Sequence, residues 1–181
     1  MKRFSLVVGL VIISCASASA QRTMVGQNAV RLACLRTDSA FGAEAFFSRY
    51  TLLGYWEVGV SGRDYARMTT ADVSLNYMNV AAEGDYLFRL AGSRNRALSL
   101  YGGGGVFLGY EAIDPAGNLP HNITTSLASG YFLYGIAAKL TAEVFISPRV
   151  ALDFSGSVPL NFNSPLGIFH WDAGIGLKMM L

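Results

Sequence analysis

Residues 132–144 read FLYGIAAKLTAEV, and this stretch decides the fold because apolar and polar or small side chains alternate along it. The even positions are apolar, while Lys139 and Glu143 stand at odd positions. Residues 150–160, VALDFSGSVPL, repeat the pattern with Asp153 on the polar side. Successive side chains of a β-strand point to opposite faces, so a period of two predicts strands with one apolar and one polar face.

The same alternation recurs along the chain and predicts an all-β protein of eight strands. The predicted strands span residues 27–36, 43–49, 52–63, 77–90, 97–112, 130–145, 149–161 and 169–181. The clearest of them run for about ten to thirteen residues, whereas a soluble strand usually has about five or six. A tilted strand needs about 9–11 residues to cross a bilayer, so the length favours a membrane protein.

The connections between the predicted strands differ in length in a regular way. Short turns alternate with longer links. The turns lie at 91–96 and 147–148, and the links at 64–76, 113–129 and 162–168. This asymmetry is typical of outer-membrane barrels, whose periplasmic turns are short and whose outer loops are long. The sequence therefore predicts an eight-stranded antiparallel up-and-down transmembrane β-barrel of the outer-membrane type.

The N-terminus has the pattern of a secretory signal peptide. Lys2 and Arg3 precede an apolar run at residues 4–13, and Ala18-Ser19-Ala20 offers small residues for cleavage before Gln21. We therefore expect a signal peptide over 1–20 and one barrel domain over 21–181. An alternative is a lipoprotein signal ending at Cys15.

The composition narrows the classes of function. Apolar residues make up 52% of the 181 residues and charged residues 14%, which excludes a disordered, charge-rich chain. A net charge of +2 gives no reason to expect direct nucleic-acid binding. No apolar run after the signal peptide reaches the roughly 18 residues of a transmembrane helix. An exported apolar chain without such a helix favours an outer-membrane barrel.

Charged residues fall on the polar face of the predicted strands. One Lys or Arg in mid-bilayer costs about 2–4 kcal/mol, so this face must avoid hydrocarbon and is expected to line the barrel interior. The nine charges that we assign to the interior, as structural ion pairs, are Glu83, Asp85, Arg89, Glu111, Lys139, Glu143, Asp153, Asp172 and Lys178. Glu57 lies on the same polar face. An eight-stranded barrel is just filled by its side chains, so no wide pore is expected.

Other features favour the membrane over a soluble, lipocalin-like periplasmic barrel, in which the charged face would meet water. Aromatic side chains stand near the strand ends of the apolar face, as interfacial girdles require. They are Trp56, Tyr86, Phe88, Tyr110, Phe132, Phe169 and Trp171. The run Gly102–Gly105 lies inside a strand and predicts a local kink or a place where interior side chains need room.

The sequence offers little catalytic chemistry. His170 and Asp172 share the polar face, with Ser155 and Ser157 on the strand before, and His121 lies in a predicted loop. We interpret His170 as a structural hydrogen-bonding residue. A lipid-modifying enzyme that pairs His170 with a serine is the alternative. No metal site and no cofactor are predicted.

Several short segments lie in order along nearly the whole chain after the predicted signal peptide. They begin with Gln21-Arg22 and Gly26-Gln27 and continue through Ala82–Tyr86 (AEGDY), Gly109–Glu111 (GYE), Tyr134-Gly135, Glu143–Arg149 (EVFISPR) and Gly174–Lys178 (GIGLK). In their order and spacing these segments resemble the TraO family of conjugal transfer proteins from conjugative transposons of Bacteroidetes. The resemblance implies a non-catalytic outer-membrane component of a conjugative transfer apparatus. Its implied partners are outer-membrane lipid and other proteins of that apparatus, and no small-molecule substrate is identified. A general outer-membrane barrel for adhesion or envelope integrity is the main alternative.

Overall fold

The computed structural model describes residues 24–37, 40–70, 73–93, 97–113, 130–164 and 170–181. Eight strands form a closed antiparallel barrel in which each strand pairs with its neighbours in the chain and β1 also pairs with β8. The strands are β1 (Asn28–Thr37), β2 (Ala40–Tyr50), β3 (Gly54–Thr70), β4 (Val73–Gly92), β5 (Leu98–Ile113), β6 (Tyr131–Ser147), β7 (Val150–Asn161) and β8 (Asp172–Met180). The predicted fold class is confirmed, and among the described residues no helix is long and apolar enough to cross a bilayer.

The two ends of the barrel differ. One end, here called the termini end, holds the start of β1, the end of β8 and the turns after β2, β4 and β6. The other, the loop end, holds the ends of β1, β3, β5 and β7 and the starts of β2, β4, β6 and β8. The predicted link at 64–76 is wrong, because β3 and β4 stay paired as far as Thr70 and Val73. The β-branched residues near this tip favour strand, and they prolong the hairpin beyond the 9–11 residues that a membrane crossing needs.

The outward face of the barrel is a continuous belt of apolar side chains. Leu32, Val60 and Leu140 are all more than half exposed. Among the strand side chains that the structure describes, Arg36 and Arg49 are outward charges near strand ends, and Asp64 is an outward charge opposite Phe41, near the start of β2. Large exposed apolar patches mark contact with a membrane or a partner.

Aromatic side chains stand near the ends of this belt. Phe88 lies towards the termini end, and Tyr110, Phe132 and Trp171 lie towards the loop end, each more than 40% exposed. Phe169 lies outside the described residues. The placement matches the interfacial positions at which aromatic side chains are enriched in membrane proteins.

The glycine run in β5 allows close approach of the neighbouring strands. Pairing continues without a bulge from Gly102 to Gly105, so the expected kink is not found. A Cβ at Gly103 would collide with the backbone carbonyl of Tyr86, and one at Gly105 would meet the Asp85 carboxylate. Glycine at these positions therefore leaves room for the neighbouring backbone and for the interior charges.

Apolar side chains close the interior at the termini end. Tyr55 lies between Tyr50 and Tyr101, with ring centroids 5.1 and 4.9 Å away, and Leu87 and Phe145 complete the layer. All five side chains are at most 3% exposed. This layer blocks the barrel axis, and the charged interior lies on its loop-end side.

Candidate functional site: the charged barrel interior

The interior is built around Arg31, which β1 presents inward between small residues. Its guanidinium is fully buried and contacts three carboxylates: Glu44 at 2.6 Å, Asp153 at 3.0 Å and Glu57 at 3.4 Å. These partners come from β2, β7 and β3, so one side chain connects four strands across the barrel. The planar guanidinium suits this role because its five donors spread in a fixed fork.

Lys139 forms a second centre from the opposite wall. Its ammonium donates to Glu57 Oε1 at 2.6 Å and to Asp85 Oδ2 at 3.2 Å. The ring of Phe46 lies 4.1 Å from the Lys139 ammonium and 4.7 Å from the Arg31 guanidinium. Glu57 therefore joins the two cations, and a buried aromatic ring supports both through cation–π contacts.

A third centre joins the charges to the tyrosine layer. The Lys178 ammonium donates to Glu143 Oε1 at 2.6 Å, and the Tyr50 hydroxyl donates to the same oxygen at 2.7 Å. The ammonium also lies 3.6 Å from the centroid of the Tyr55 ring. Both charged residues are fully buried, so their pairing offsets the cost of removing them from water.

A fourth centre lies towards the loop end. Arg63 donates to Asp172 Oδ2 from Nη2 at 2.8 Å and from Nε at 3.2 Å, and it approaches Glu83 at 3.4 Å. The Ser61 hydroxyl also donates to Glu83. A cavity of about 20 Å³ lies beside Arg63 and is lined in part by Asn79, which is room for about one water molecule.

The structure places most of the predicted interior charges in these centres. Buried inside are Asp85, Glu111, Lys139, Glu143, Asp153, Asp172 and Lys178, and Glu83 is half-buried. Glu111 stands apart from the four centres and accepts a hydrogen bond from the Ser164 hydroxyl at 3.2 Å.

Arg89 does not join the interior charges, and its assignment to the interior is a wrong prediction. Its side chain is exposed at the termini end. The pairing of β4 with β5 is irregular between Arg89 and Ala91, and the Arg89 guanidinium lies beside Gly92 at the turn. Arg89 pairs with the buried, inward-facing Tyr101, so it keeps the inward face, but it stands near the strand end, where its long side chain reaches solvent.

The prediction missed three interior charges that carry most of the network: Arg31, Glu44 and Arg63. All three lie in β1–β3, where inward positions also hold apolar residues such as Leu35 and Phe46. The inward face of β1–β3 therefore mixes polar and apolar residues, so the alternation that identifies a strand in the sequence is weak there. The sequence did contain one signal for Arg31 as an interior residue. Ala29 and Ala33, two residues before and after it on the same face, are both small.

The serine hydroxyls that a lipid-modifying enzyme would use take part in the ion-pair centres. Ser155 Oγ accepts from Arg31 at 3.4 Å, and Ser157 Oγ donates to Asp172 at 3.4 Å. His170 lines the small cavity near Arg63. No group of three or more His, Cys, Asp or Glu suited to a metal ion occurs among the described residues. The contacts seen are those of a structural network.

The family model described as conjugative transposon protein TraO matches residues 18–181, which cover the whole described barrel. The chain belongs to this family. No curated protein matches it in sequence. The earlier resemblance to the TraO family is confirmed.

Solved structures similar to this TraO-family chain include bacterial outer-membrane proteins. A major outer membrane protein of Thermus thermophilus has a TM-score of 0.61 at 14% identity, with 86% of this chain and 98% of that one covered. OprG of Pseudomonas aeruginosa has a TM-score of 0.58 at 12% identity over 91% and 99% of the two chains. Ail, the attachment invasion locus protein of Yersinia pestis, has 0.52 at 12% over 87% and 100%. At these identities the likeness shows a shared barrel fold.

Proposed function

We propose that this chain spans the outer membrane and serves conjugative transfer as a non-catalytic barrel of the transfer apparatus, in contact with other apparatus proteins. The family match supports the link to conjugative transposons. The barrel fold supports the membrane location. The absence of nucleic-acid chemistry in the composition favours a role in the envelope rather than on DNA.

One observation carries the membrane location: the two faces of the wall are opposite in character. Arg31 and Lys139 are buried inside, while their strand neighbours Leu32 and Leu140 are exposed outside at 62% and 51%. In water, the outward belt would be a very large exposed apolar surface, far beyond the few hundred Å² that soluble monomers tolerate. In a bilayer, the same belt contacts hydrocarbon and the charges stay sealed from it.

Membrane fractionation with unboiled and boiled samples on a gel tests the location. We expect the protein in the outer-membrane fraction, with a folded form that migrates differently until it is boiled. A matched variant, Leu140→Arg, should reduce the folded form, because an arginine at mid-bilayer costs about 2–4 kcal/mol. Protein released into the aqueous fraction without detergent would contradict the proposal.

A clean deletion tests the role in transfer. We expect the number of transconjugants per donor to fall by orders of magnitude and to recover when the full chain is supplied in trans. Resistance to detergent should stay at the parental level, which separates a transfer role from general envelope integrity. Transfer at the parental rate from the deletion strain would overturn the proposed function.

A further inference from the structure

An open apolar groove of about 700 Å³ crosses the outward face of β1–β3 and continues onto β8. Its floor is formed by small outward residues, among them Ala43 and Gly62, and bulky neighbours such as Leu32, Val60 and Leu177 form its walls. The volume lies in the roughly 300–1,000 Å³ range of small-molecule sites. Within a bilayer, a concavity in the apolar belt is filled by hydrocarbon.

An exposed cation stands at the loop-end border of this groove. Arg36 follows Cys34, which lines the groove, by two residues and so shares its outward face. The Arg36 guanidinium stacks 4.4 Å from the centroid of the Phe41 ring on the neighbouring strand. This contact holds the positive charge at the edge of the belt, where the phosphate groups of lipids lie.

We propose that the groove and Arg36 together bind a membrane lipid with an anionic phosphate headgroup. Its acyl chains lie in the groove and its phosphate contacts the Arg36 guanidinium. A molecule that is apolar along its length and anionic at one end matches this pairing of surface and charge. The site rests on the proposed function, because it requires the belt to lie in a bilayer.

Tryptophan fluorescence with brominated lipids tests the site. Trp171 is 44% exposed and lies two residues before Ala173, the β8 partner of Arg36. Such a diagonal neighbour is about 7–8 Å away, so Trp171 reports on lipid at Arg36. In a Trp56→Phe background, the folded barrel is placed in phosphatidylcholine vesicles. Quenching by brominated phosphatidylglycerol is then compared with quenching by brominated phosphatidylcholine. We expect about a fivefold preference for the anionic lipid, the factor for one arginine beside anionic headgroups.

Matched variants separate the site from general lipid contact. Arg36→Gln should abolish the preference, whereas Arg49→Gln, at the opposite end of the belt, should retain it. Ala43→Leu fills the groove and should weaken the preference, and Ala138→Leu, an exposed outward alanine on β6, should leave it unchanged. An equal preference in both arginine variants would overturn the site.

The remaining outcomes distinguish the site from the proposed function. A folded, heat-modifiable Trp56→Phe barrel without further substitution that shows no preference would refute the lipid site alone. A chain that never reaches the heat-modifiable form in vesicles would refute the membrane location and the site with it. If quenching by both lipids falls equally as the amount of protein per vesicle rises, a second copy of this chain occupies the groove. This outcome would also overturn the lipid site.

Discussion

Replacing Arg31 with methionine tests whether the interior network stabilises the barrel. Arg31→Met keeps the length and apolar stem of the side chain but leaves Glu44, Asp153 and Glu57 without their shared cation. The two shortest contacts, at 2.6 and 3.0 Å, are charge-assisted hydrogen bonds worth roughly 1.5–3 kcal/mol each, or about 3–6 kcal/mol together. Removing one partner of a buried pair costs about 3–5 kcal/mol, which agrees with that range.

The assay is urea unfolding of the barrel in lipid vesicles, with the folded fraction read from unboiled gels. We expect the free energy of unfolding of Arg31→Met to fall by about 3–5 kcal/mol, a large part of the roughly 5–15 kcal/mol of a typical protein. The matched control is Leu32→Met, one residue away on the lipid face, which should change it by less than about 1.5 kcal/mol.

A second substitution distinguishes charge from packing. Adding Asp153→Asn to Arg31→Met removes one of the orphaned carboxylates, so the double variant should recover part of the lost free energy. A simple loss of packing would instead make the two effects add. The reasoning would be refuted if Arg31→Met and Leu32→Met unfolded at the same urea concentration.

Three further pairs of substitutions probe the wall and the tyrosine layer by the same unfolding assay. Leu140→Arg should lower the free energy of unfolding by about 2–4 kcal/mol, and Leu98→Arg, at the strand end, by about 0–1 kcal/mol. Equal losses would contradict the membrane depth assigned to the two residues. Gly103→Val should lower the free energy of unfolding by about 1–3 kcal/mol, because the added Cβ meets the backbone of the neighbouring strand. At Gly156 the atom nearest to an added Cβ is 4.0 Å away, so Gly156→Val should stay within about 0.5 kcal/mol of wild type. Tyr55→Ala should lower the free energy of unfolding by about 3–5 kcal/mol. Tyr55→Phe should be neutral or stabilising, because the buried Tyr55 hydroxyl has no hydrogen-bond partner among the described residues. A Tyr55→Phe variant as unstable as Tyr55→Ala would contradict this prediction.

The sequence predicted the wall of the barrel because the outward face is predominantly apolar. Along most of β6 to β8 every second residue belongs to the apolar outward face, so the predicted strands 130–145 and 149–161 end within two residues of Tyr131–Ser147 and Val150–Asn161. The period of two no longer predicts strands where the hairpin of β3 and β4 is longer than a bilayer crossing needs. β3 and β4 stay paired as far as Thr70 and Val73, so a lipid-facing period is not required along the whole hairpin.

The interior was harder to predict because its partners are distant in sequence. Arg31 and Asp153 are 122 residues apart, and Arg63 and Asp172 are 109 apart. Alternation shows that such residues face inward but cannot show which of them meet across the lumen. That depends on strand stagger, which no single strand encodes. Arg89 adds a separate cause, because the alternation gives its face correctly but does not show that a side chain near the strand end is exposed.

The charged interior also determines the register of the strands. A slip of one residue would move every side chain of a strand to the other face. With the barrel in a bilayer as proposed, that slip of β6 would place Lys139 and Glu143 in hydrocarbon and turn Leu140 inward towards the carboxylate of Glu57. Lys139 alone would cost about 2–4 kcal/mol, and its former partners would lose a buried cation as well. An apolar interior would allow slipped pairings at little cost. We therefore infer that the network restricts the barrel to one register, a requirement that holds whatever partner the outer surface binds.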